Sequence, residues 1–273
     1  MLVSGSNPGA RVFPAGSSPA RSPLAVPLWL RDLAGAWIFY SVLPAWPWPQ
    51  PRFERIARFA PWIGLVLGVL QALLWGLLAG RVPQAAQVAM VLALGITLSG
   101  GLHLDGVMDT ADGLAAGERC LEAMEDSRVG ASAVQALVLL LLLRAAGLIC
   151  LGAQAPLALL WSGFFSRTSP LLAMAWFPYL RADGGTAAFH RLHWRGLARE
   201  CRPALLAVVL LLLLPVPSGW WFAGLVAALP AALVPLWLGR RLGGHSGDSY
   251  GACVEWSEAL ALLLIGLLRA LLR

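Results

Sequence analysis

The chain has 273 residues, of which 59% are apolar and only 12% charged, whereas about a quarter of a soluble domain is charged. This apolar content excludes a disordered chain. The net charge of +6 comes from arginines that do not form one basic domain, so no nucleic-acid partner is expected. The four cysteines lie far apart without a CxxC pair, which excludes a disulfide framework and a zinc site. The remaining class is a polytopic membrane protein.

The N-terminal part of the chain predicts little structure ahead of the membrane domain. Residues 1–30 are rich in Gly, Pro and Ser and lack the apolar stretch of a signal peptide, so we expect a disordered extension. A single integral-membrane domain, residues 31–273, follows it. Its first apolar segment, 33–48, is interrupted by prolines and is expected either to span the membrane or to lie at its surface.

Windows without charged side chains locate the membrane-spanning segments in the rest of the chain. A helix needs about 20 apolar residues to cross a bilayer. The windows predict about seven spans: 61–80, 84–103, 131–152, 156–178, 200–216, 219–238 and 257–272. The predicted fold is therefore an all-α, polytopic transmembrane helix bundle.

The connections between these spans differ in charge. Four long or polar connections, 52–58, 104–128, 181–202 and 240–256, carry twelve arginines, whereas the other connections carry one between them. Because arginine-rich loops stay on the cytoplasmic side, we expect all four polar connections to meet in one site at the cytoplasmic face.

Half of the acidic side chains lie within 22 residues of this apolar chain. They are Asp105, Asp109, Asp112, Glu118, Glu122, Glu125 and Asp126. The first three are spaced i, i+4 and i+7, which places them within about 60° of arc on one helix face. Like charges at this spacing repel, and a divalent cation is the simplest compensation. Oxygen ligands favour Mg²⁺ or Mn²⁺, so we expect a metal site on this face.

A second acidic element follows the three aspartates. Gly113 and Gly117 allow the chain to turn, so Asp126 is expected to face Asp105, Asp109 and Asp112. Two carboxylate-bearing helices of this kind could hold two metals about 4 Å apart and bind a phosphoryl group. The three glutamates are expected to be ordinary surface residues, paired with nearby arginines.

Two arginines lie within predicted spans. Arg167, in Ser166-Arg167-Thr168, either contacts a substrate phosphate or is structural. Arg144 is expected to be structural.

Three further polar features lie near the ends of spans. Glu54 and Arg58 precede the first span and either anchor it or bind substrate. The 240–256 connection contains a glycine- and hydroxyl-rich turn around Asp248, whose backbone amides would suit an anion. His103 is expected to be a packed or orienting group.

The aspartate-rich segment resembles the signature of the cobalamin synthase family, the adenosylcobinamide-GDP ribazoletransferases of bacterial vitamin B12 assembly. The segment reads Gly101-Leu-His-Leu-Asp105-Gly-Val-Met-Asp109-Thr-Ala-Asp112-Gly113. Other blocks of this family resemble residues 121–130, Ser166-Arg167, 242–252 with Glu255 and Glu258, and 53–58. The resemblance covers about residues 33 to 270. Met108 and His245 depart from the expected pattern without affecting a carboxylate.

The resemblance implies a multi-pass enzyme of the bacterial inner membrane that needs Mg²⁺. In this family a ribose hydroxyl of α-ribazole, or of its 5′-phosphate, attacks the corrinoid-linked phosphate of adenosylcobinamide-GDP. GMP leaves, and adenosylcobalamin or its 5′-phosphate forms. Domain 31–273 would then be a transferase. Its partners would be these two substrates and the lipid bilayer, and the sequence leaves open whether it forms a homo-oligomer.

The resemblance and the residue chemistry together assign roles. Asp105, Asp109, Asp112 and Asp126 are the predicted catalytic residues and metal ligands, with Asp112 favoured as the proton acceptor. The predicted substrate contacts are Glu54, Arg58, Ser127, Arg128, Ser166, Arg167 and Asp248.

Two other functions compete with this interpretation. A CDP-alcohol phosphatidyltransferase also has an aspartate-rich helix, but it spaces its acids differently and has an Ala-Arg pair where this chain has Leu114-Ala115. A divalent-metal transporter would use the aspartates as its transport site. Such sites usually lie near the bilayer midplane, whereas these acids lie at a predicted helix end.

Replacing Arg128 with lysine should slow the transfer reaction, because a lysine ammonium cannot replace a bidentate guanidinium contact with phosphate. The rate of GMP release by Arg128→Lys checks this expectation. An unchanged rate would remove Arg128 from the site.

Overall fold

The computed structural model describes residues 26–181, 187–213 and 219–272, and these residues are helical apart from turns, loops and one isolated parallel bridge between Tyr179 and His245. The helices, in chain order, are α1 (Leu28–Tyr40), α2 (Ala60–Leu78), α3 (Gln84–Ser99), α4 (Leu102–Ala116), α5 (Cys120–Ala123), α6 (Ala131–Leu151), α7 (Ala155–Ser166), α8 (Ser169–Trp176), α9 (Ala188–Leu192), α10 (Leu197–Glu200), α11 (Arg202–Leu212), α12 (Gly219–Leu242) and α13 (Gly247–Leu271).

Several of these helices are long and apolar enough to cross a membrane. Four helical segments in the described residues meet that condition: Ile56–Leu78, Ala131–Trp176, which contains α6, α7 and α8, Trp220–Leu242 and Gly247–Leu271. The bent pair α3 and α4 makes a fifth if it counts as one span. The all-helical, multi-pass class predicted from composition is confirmed at this coarser count.

Two predicted spans are interrupted. Span 84–103 ends early: α3 stops at Ser99, and the chain bends by 92° before α4 continues. Gly100 and Gly101 make this bend with φ of +62° and +72°, a region that other residues rarely adopt. Span 156–178 is divided into α7 and α8 at Arg167–Thr168.

The predicted boundaries near both termini also differ from the structure. The last predicted span, 257–272, starts ten residues too late, because α13 begins at Gly247. The connection was predicted to run to residue 256, yet Glu255 is buried within this helix, as is Glu258. Residues 28–30, assigned to the extension, form the start of α1, and residues 1–25 lie outside the described residues.

Helix α13 forms the centre of the bundle. It packs against α4, α6, α7, α8 and α12, and its buried residues are distributed around most of its circumference. Its N-terminus is closed by a capping box, in which the Ser249 amide donates to Ser246 Oγ and the Ser246 amide donates to Ser249 Oγ. This box fixes the point at which α13 starts.

Small residues allow the helix backbones to approach closely. A Cβ atom on Gly106 of α4 would lie 2.3 Å from the carbonyl oxygen of Asp248 in α13, and one on Gly251 would lie 3.1 Å from the carbonyl oxygen of His103. Gly147 and Gly266 play the same part between α6 and α13. Close contacts at small residues are typical of helices that pack within membranes.

Gly106→Ala should destabilise the fold by about 1–3 kcal/mol, because the added methyl group has no space against the α13 backbone. The matched control is Gly76→Ala, where an added Cβ meets nothing within 4 Å and the change should be neutral or slightly stabilising. Thermal unfolding in detergent, followed by tryptophan fluorescence, would compare the two. Equal effects would show that the α4–α13 contact is not tight.

Candidate active site

The aspartates of α4 meet Asp248 at the N-terminus of α13. The Gly106–Asp248 backbone contact brings the two helices together. Asp109 is repelled by Asp105, Asp248 and Asp112 and attracted by Arg181. The structure therefore joins Asp248 to the three-aspartate face that the helical spacing had predicted, and the resulting group carries excess negative charge.

A cavity of about 330 Å³ opens beside this group. Its polar lining includes Asp105, Asp248, His103, Arg167 and His190. Backbone surfaces of Gly106 and Gly251 and the ring of Tyr40 complete part of the wall. The cavity brings carboxylates and a guanidinium together in a space large enough for part of a ligand.

Asp112 is held by the start of α6. One carboxylate oxygen accepts a hydrogen bond of 2.7 Å from the Gly130 amide, and the other accepts one of 2.9 Å from the Ala133 amide. These amides lack partners within their own helix, so Asp112 caps α6 from a different helix. The contact ties α4 to the loop that precedes α6.

That loop does not bring Asp126 into contact with the other aspartates. The Arg128 guanidinium donates hydrogen bonds to Asp126, including one of 2.5 Å from Nη2 to Oδ2, and 88% of the Arg128 side chain is exposed. These hydrogen bonds lower the pKa of Asp126 to about 2. Ser127 lies between them and is exposed. Within the described ranges, no group of three or more His, Cys, Asp or Glu side chains is close enough to hold a metal ion.

The glutamates of this region behave as predicted surface residues, with one difference in pairing. Glu122 pairs with Arg119 at 2.6 Å, and both side chains are mostly exposed. Glu125, however, lies 3.9 Å from Arg181, while Arg128 pairs with Asp126.

Arg181 connects the loop that contains Glu125 to Asp248, which belongs to the aspartate cluster. Its Nη2 donates to Asp248 at 2.9 Å, while its Nε lies 3.9 Å from Glu125. Backbone bonds fix its position, since the Leu180 amide donates to the His245 carbonyl oxygen and the His245 amide donates to that of Pro178. In the sequence, Arg181 is only one arginine of the polar 181–202 connection, because nothing local connects it with Asp248, 67 positions away.

Arg167 belongs to a buried ion network as well as to the cavity wall. Its Nη1 lies 3.1 Å from Glu258, and Arg144 Nη2 lies 2.8 Å from Glu255 and 3.6 Å from Glu258. His103 Nδ1 lies 3.9 Å from Glu255. All five side chains are buried. The structural role expected for Arg144 is confirmed, and the same network explains how α13 accommodates two glutamates.

The remaining predicted substrate contacts lie elsewhere. Ser166 Oγ donates to the Gly163 carbonyl oxygen within α7, beside Arg167. Arg58 pairs with the buried Asp32 at 2.9 Å, and the exposed Glu54 pairs with Arg52 and approaches His193. Neither Glu54 nor Arg58 lines the cavity that contains Asp105.

The 240–256 connection, predicted as a long polar segment with a glycine- and hydroxyl-rich turn, is mostly helical. Helix α12 runs to Leu242 and α13 starts at Gly247, so only a short turn separates them. His245 is buried in that turn and contacts Ser249 Oγ and the Pro235 carbonyl oxygen through its two ring nitrogens. The turn positions Asp248 within the first turn of α13.

The fold and the site define a class: a helical membrane protein that gathers carboxylates and arginines around a cavity at one end of its bundle. A model of the cobalamin-5-phosphate synthase family matches residues 32–266. The chain belongs to this family. None of the solved structures compared with the chain matches it.

Similar proteins cover nearly the whole chain. An adenosylcobinamide-GDP ribazoletransferase of Prochlorococcus marinus (strain MIT 9313) is 61% identical over 90% of this chain and 98% of its own length. One from Thermosynechococcus vestitus is 43% identical over 86% of this chain and 96% of its own length. One from Synechocystis sp. is 41% identical over 88% and 96%.

Arg144→Leu should destabilise the protein by about 3–5 kcal/mol, because it leaves Glu255 buried without its closest cation. Arg119→Leu is the matched control, since it breaks an exposed ion pair and should change stability little. Thermal unfolding of both variants in the same detergent measures the difference. Comparable stability of the two variants would contradict a buried network at Arg144.

Proposed function

We propose that this chain transfers the corrinoid phosphate of adenosylcobinamide-GDP to α-ribazole or to its 5′-phosphate. The products are GMP and adenosylcobalamin or its 5′-phosphate. The observation that carries this proposal is family membership over nearly the whole chain, together with relatives named for this reaction. The cavity supports it, because carboxylates face an arginine in the pattern that a phosphoryl transfer requires.

The cluster formed by Asp105, Asp109 and Asp248 is suited to hold Mg²⁺. Asp105, Asp109 and Asp248 repel one another, and Arg181 is the cation that opposes them most directly. Mg²⁺ is usually held by one or two carboxylates, with substrate phosphates and water completing its shell, so a preformed set of three ligands is not required. We propose Asp105 and Asp109 as the principal ligands. When bound, Mg²⁺ would neutralise charge on the diphosphate.

The chain's own residues can position and stabilise the reacting groups. Arg167 lines the cavity, where its guanidinium would neutralise charge on a phosphate oxygen. Arg181 would hold Asp248 at the rim. A bond forms between the ribose oxygen and the corrinoid phosphorus, and the bond to the GMP oxygen breaks.

The proton of the attacking hydroxyl needs an acceptor. Both oxygens of Asp112 already accept backbone hydrogen bonds from α6, and such bonds make a carboxylate a weaker base. Asp112 is therefore a poorer acceptor than the sequence suggested, and whichever of Asp105 and Asp109 is less engaged by Mg²⁺ would be the better one. Asp112 would instead hold the start of α6 against α4.

We also propose that the carboxylate end of the bundle faces the cytoplasm of a bacterial inner membrane. The arginine-rich segments around Arg58, Arg181 and Arg202 support this orientation. The seven-span arrangement belongs to the same proposal. It requires α11 to cross together with residues 214–218, which lie outside the described residues.

Asp109→Asn should lower GMP release from adenosylcobinamide-GDP at least about a hundredfold, because it removes a charge at the reacting phosphate. Glu122→Gln is the matched control, since it neutralises an exposed acid of the same segment and should retain activity. Both variants are compared in lipid vesicles with α-ribazole and with its 5′-phosphate as acceptors.

Three outcomes would contradict this assignment. Near-normal turnover by Asp109→Asn would remove Asp109 from the site. Release of CMP from a CDP-lipid, without GMP release, would indicate a phosphatidyltransferase. Metal uptake into vesicles that survives Asp109→Asn, without transferase activity, would indicate a transporter.

A further inference from the structure

A second cavity, of about 590 Å³, lies between α1, the start of α2 and the α10–α11 segment. Five arginines line it: Arg55, Arg58, Arg195, Arg199 and Arg202. Its other walls are apolar and are formed by Trp29, Leu33, Phe59, Trp62, Pro203 and Leu206. Five guanidinium groups from separate segments converge here, and their positive charge favours the binding of an anion.

Two buried carboxylates hold part of this cavity in place. Glu200 accepts hydrogen bonds from Arg55 at 2.6 and 3.2 Å and from the Arg195 amide at 3.2 Å. Asp32 accepts one from Arg58 at 2.9 Å. Both acids are at least 97% buried, so carboxylates in the protein interior hold Arg55 and Arg58 in position.

The positive charges of the other three arginines are available to a ligand. Arg195, Arg199 and Arg202 are exposed, and their side chains form no ion pair with a carboxylate in the described residues. The five arginines of the cavity outnumber Glu200 and Asp32 by three positive charges. The excess charge favours a phosphate over a neutral ligand.

The cavity lies where the apolar outer surface of the bundle begins. Arg55 immediately precedes the apolar segment Ile56–Leu78, and Arg58 is the third residue of that segment. Arg202 is the first residue of α11. Beyond Arg202, the outward-facing apolar side chains of α11 are exposed, namely Leu205, Leu206, Val209 and Leu210. Trp29 is 53% exposed at the rim. Arginine and tryptophan at the start of an apolar surface are typical of a membrane interface.

We propose that this cavity binds the phosphate headgroup of an anionic phospholipid, with its acyl chains along the exposed face of α11. The charge excess selects an anionic headgroup, and the adjoining apolar wall selects a lipid over a free phosphate. The site is separate from the carboxylate cavity, because Ala57 and Ala60 line that cavity while Arg55 and Arg58 line this one. The proposal does not depend on the transferase assignment.

The test compares two double variants that remove the same charge. Arg199→Gln with Arg202→Gln alters the basic cavity. Arg240→Gln with Arg241→Gln is the control, since these two arginines are exposed near the turn before α13 and do not line the cavity. Native mass spectrometry of the full-length protein measures binding of phosphatidylglycerol and of phosphatidylcholine. Thermal unfolding confirms that both variants are folded.

We expect the intact protein to prefer phosphatidylglycerol, and the Arg199/Arg202 variant to bind it at least about tenfold more weakly. The control variant should bind it as the intact protein does. Equal binding by both double variants, or no preference for phosphatidylglycerol over phosphatidylcholine, would overturn the proposal.

A second measurement separates a lipid from a phosphate-bearing substrate. If the cavity holds lipid, the Arg199/Arg202 variant changes the KM for α-ribazole and for its 5′-phosphate by the same factor. A rise in KM for the 5′-phosphate alone, with phosphatidylglycerol binding unchanged, would overturn the lipid assignment in favour of a substrate subsite.

Discussion

The close crossing of α4 and α13 is the contact on which the site depends. Gly106 has no side chain, so its helix lies directly against the backbone of Asp248. Gly251 likewise allows the backbone of His103 to lie close to α13. Without this approach Asp248 could not join Asp105 and Asp109 in one electrostatic group. In a membrane, where helices gain little hydrophobic energy by associating, small residues provide the packing that holds such a crossing.

The buried ions of α13 have a related role. A glutamate in an apolar helix is tolerated only when cations and hydrogen bonds compensate its charge. Arg144 comes from α6 and Arg167 from the break between α7 and α8, and both reach Glu258. Because Arg167 also lines the carboxylate cavity, the network that stabilises the bundle fixes one wall of the proposed active site.

Charge is divided between two cavities at the same end of the molecule. The segment before α2 separates them: Ala57 and Ala60 face the carboxylate cavity, and Arg55 and Arg58 face the basic one. The first cavity has excess negative charge and fits a cation with a phosphate. The second has excess positive charge and lies beside exposed apolar surface. Under the two proposals made for these cavities, the nucleotide substrate and the membrane lipid occupy separate places and do not compete.

Hydropathy and helical periodicity were enough to predict the membrane class and the aspartate face of α4, because both depend on residues close together in the chain. Its resemblance to the cobalamin synthase family also named the family that the comparisons confirm. The fold, in contrast, was needed to show that Asp248 and Arg181 join the aspartates, that Asp112 caps α6, and that Asp126 pairs with Arg128. Helix packing also places the start of the last helix at Gly247, ten residues before its predicted start, and it pairs Glu255 and Glu258 of that helix with Arg144 and Arg167, 111 and 91 positions away. Such pairings arise from how the helices pack, and no local pattern records them.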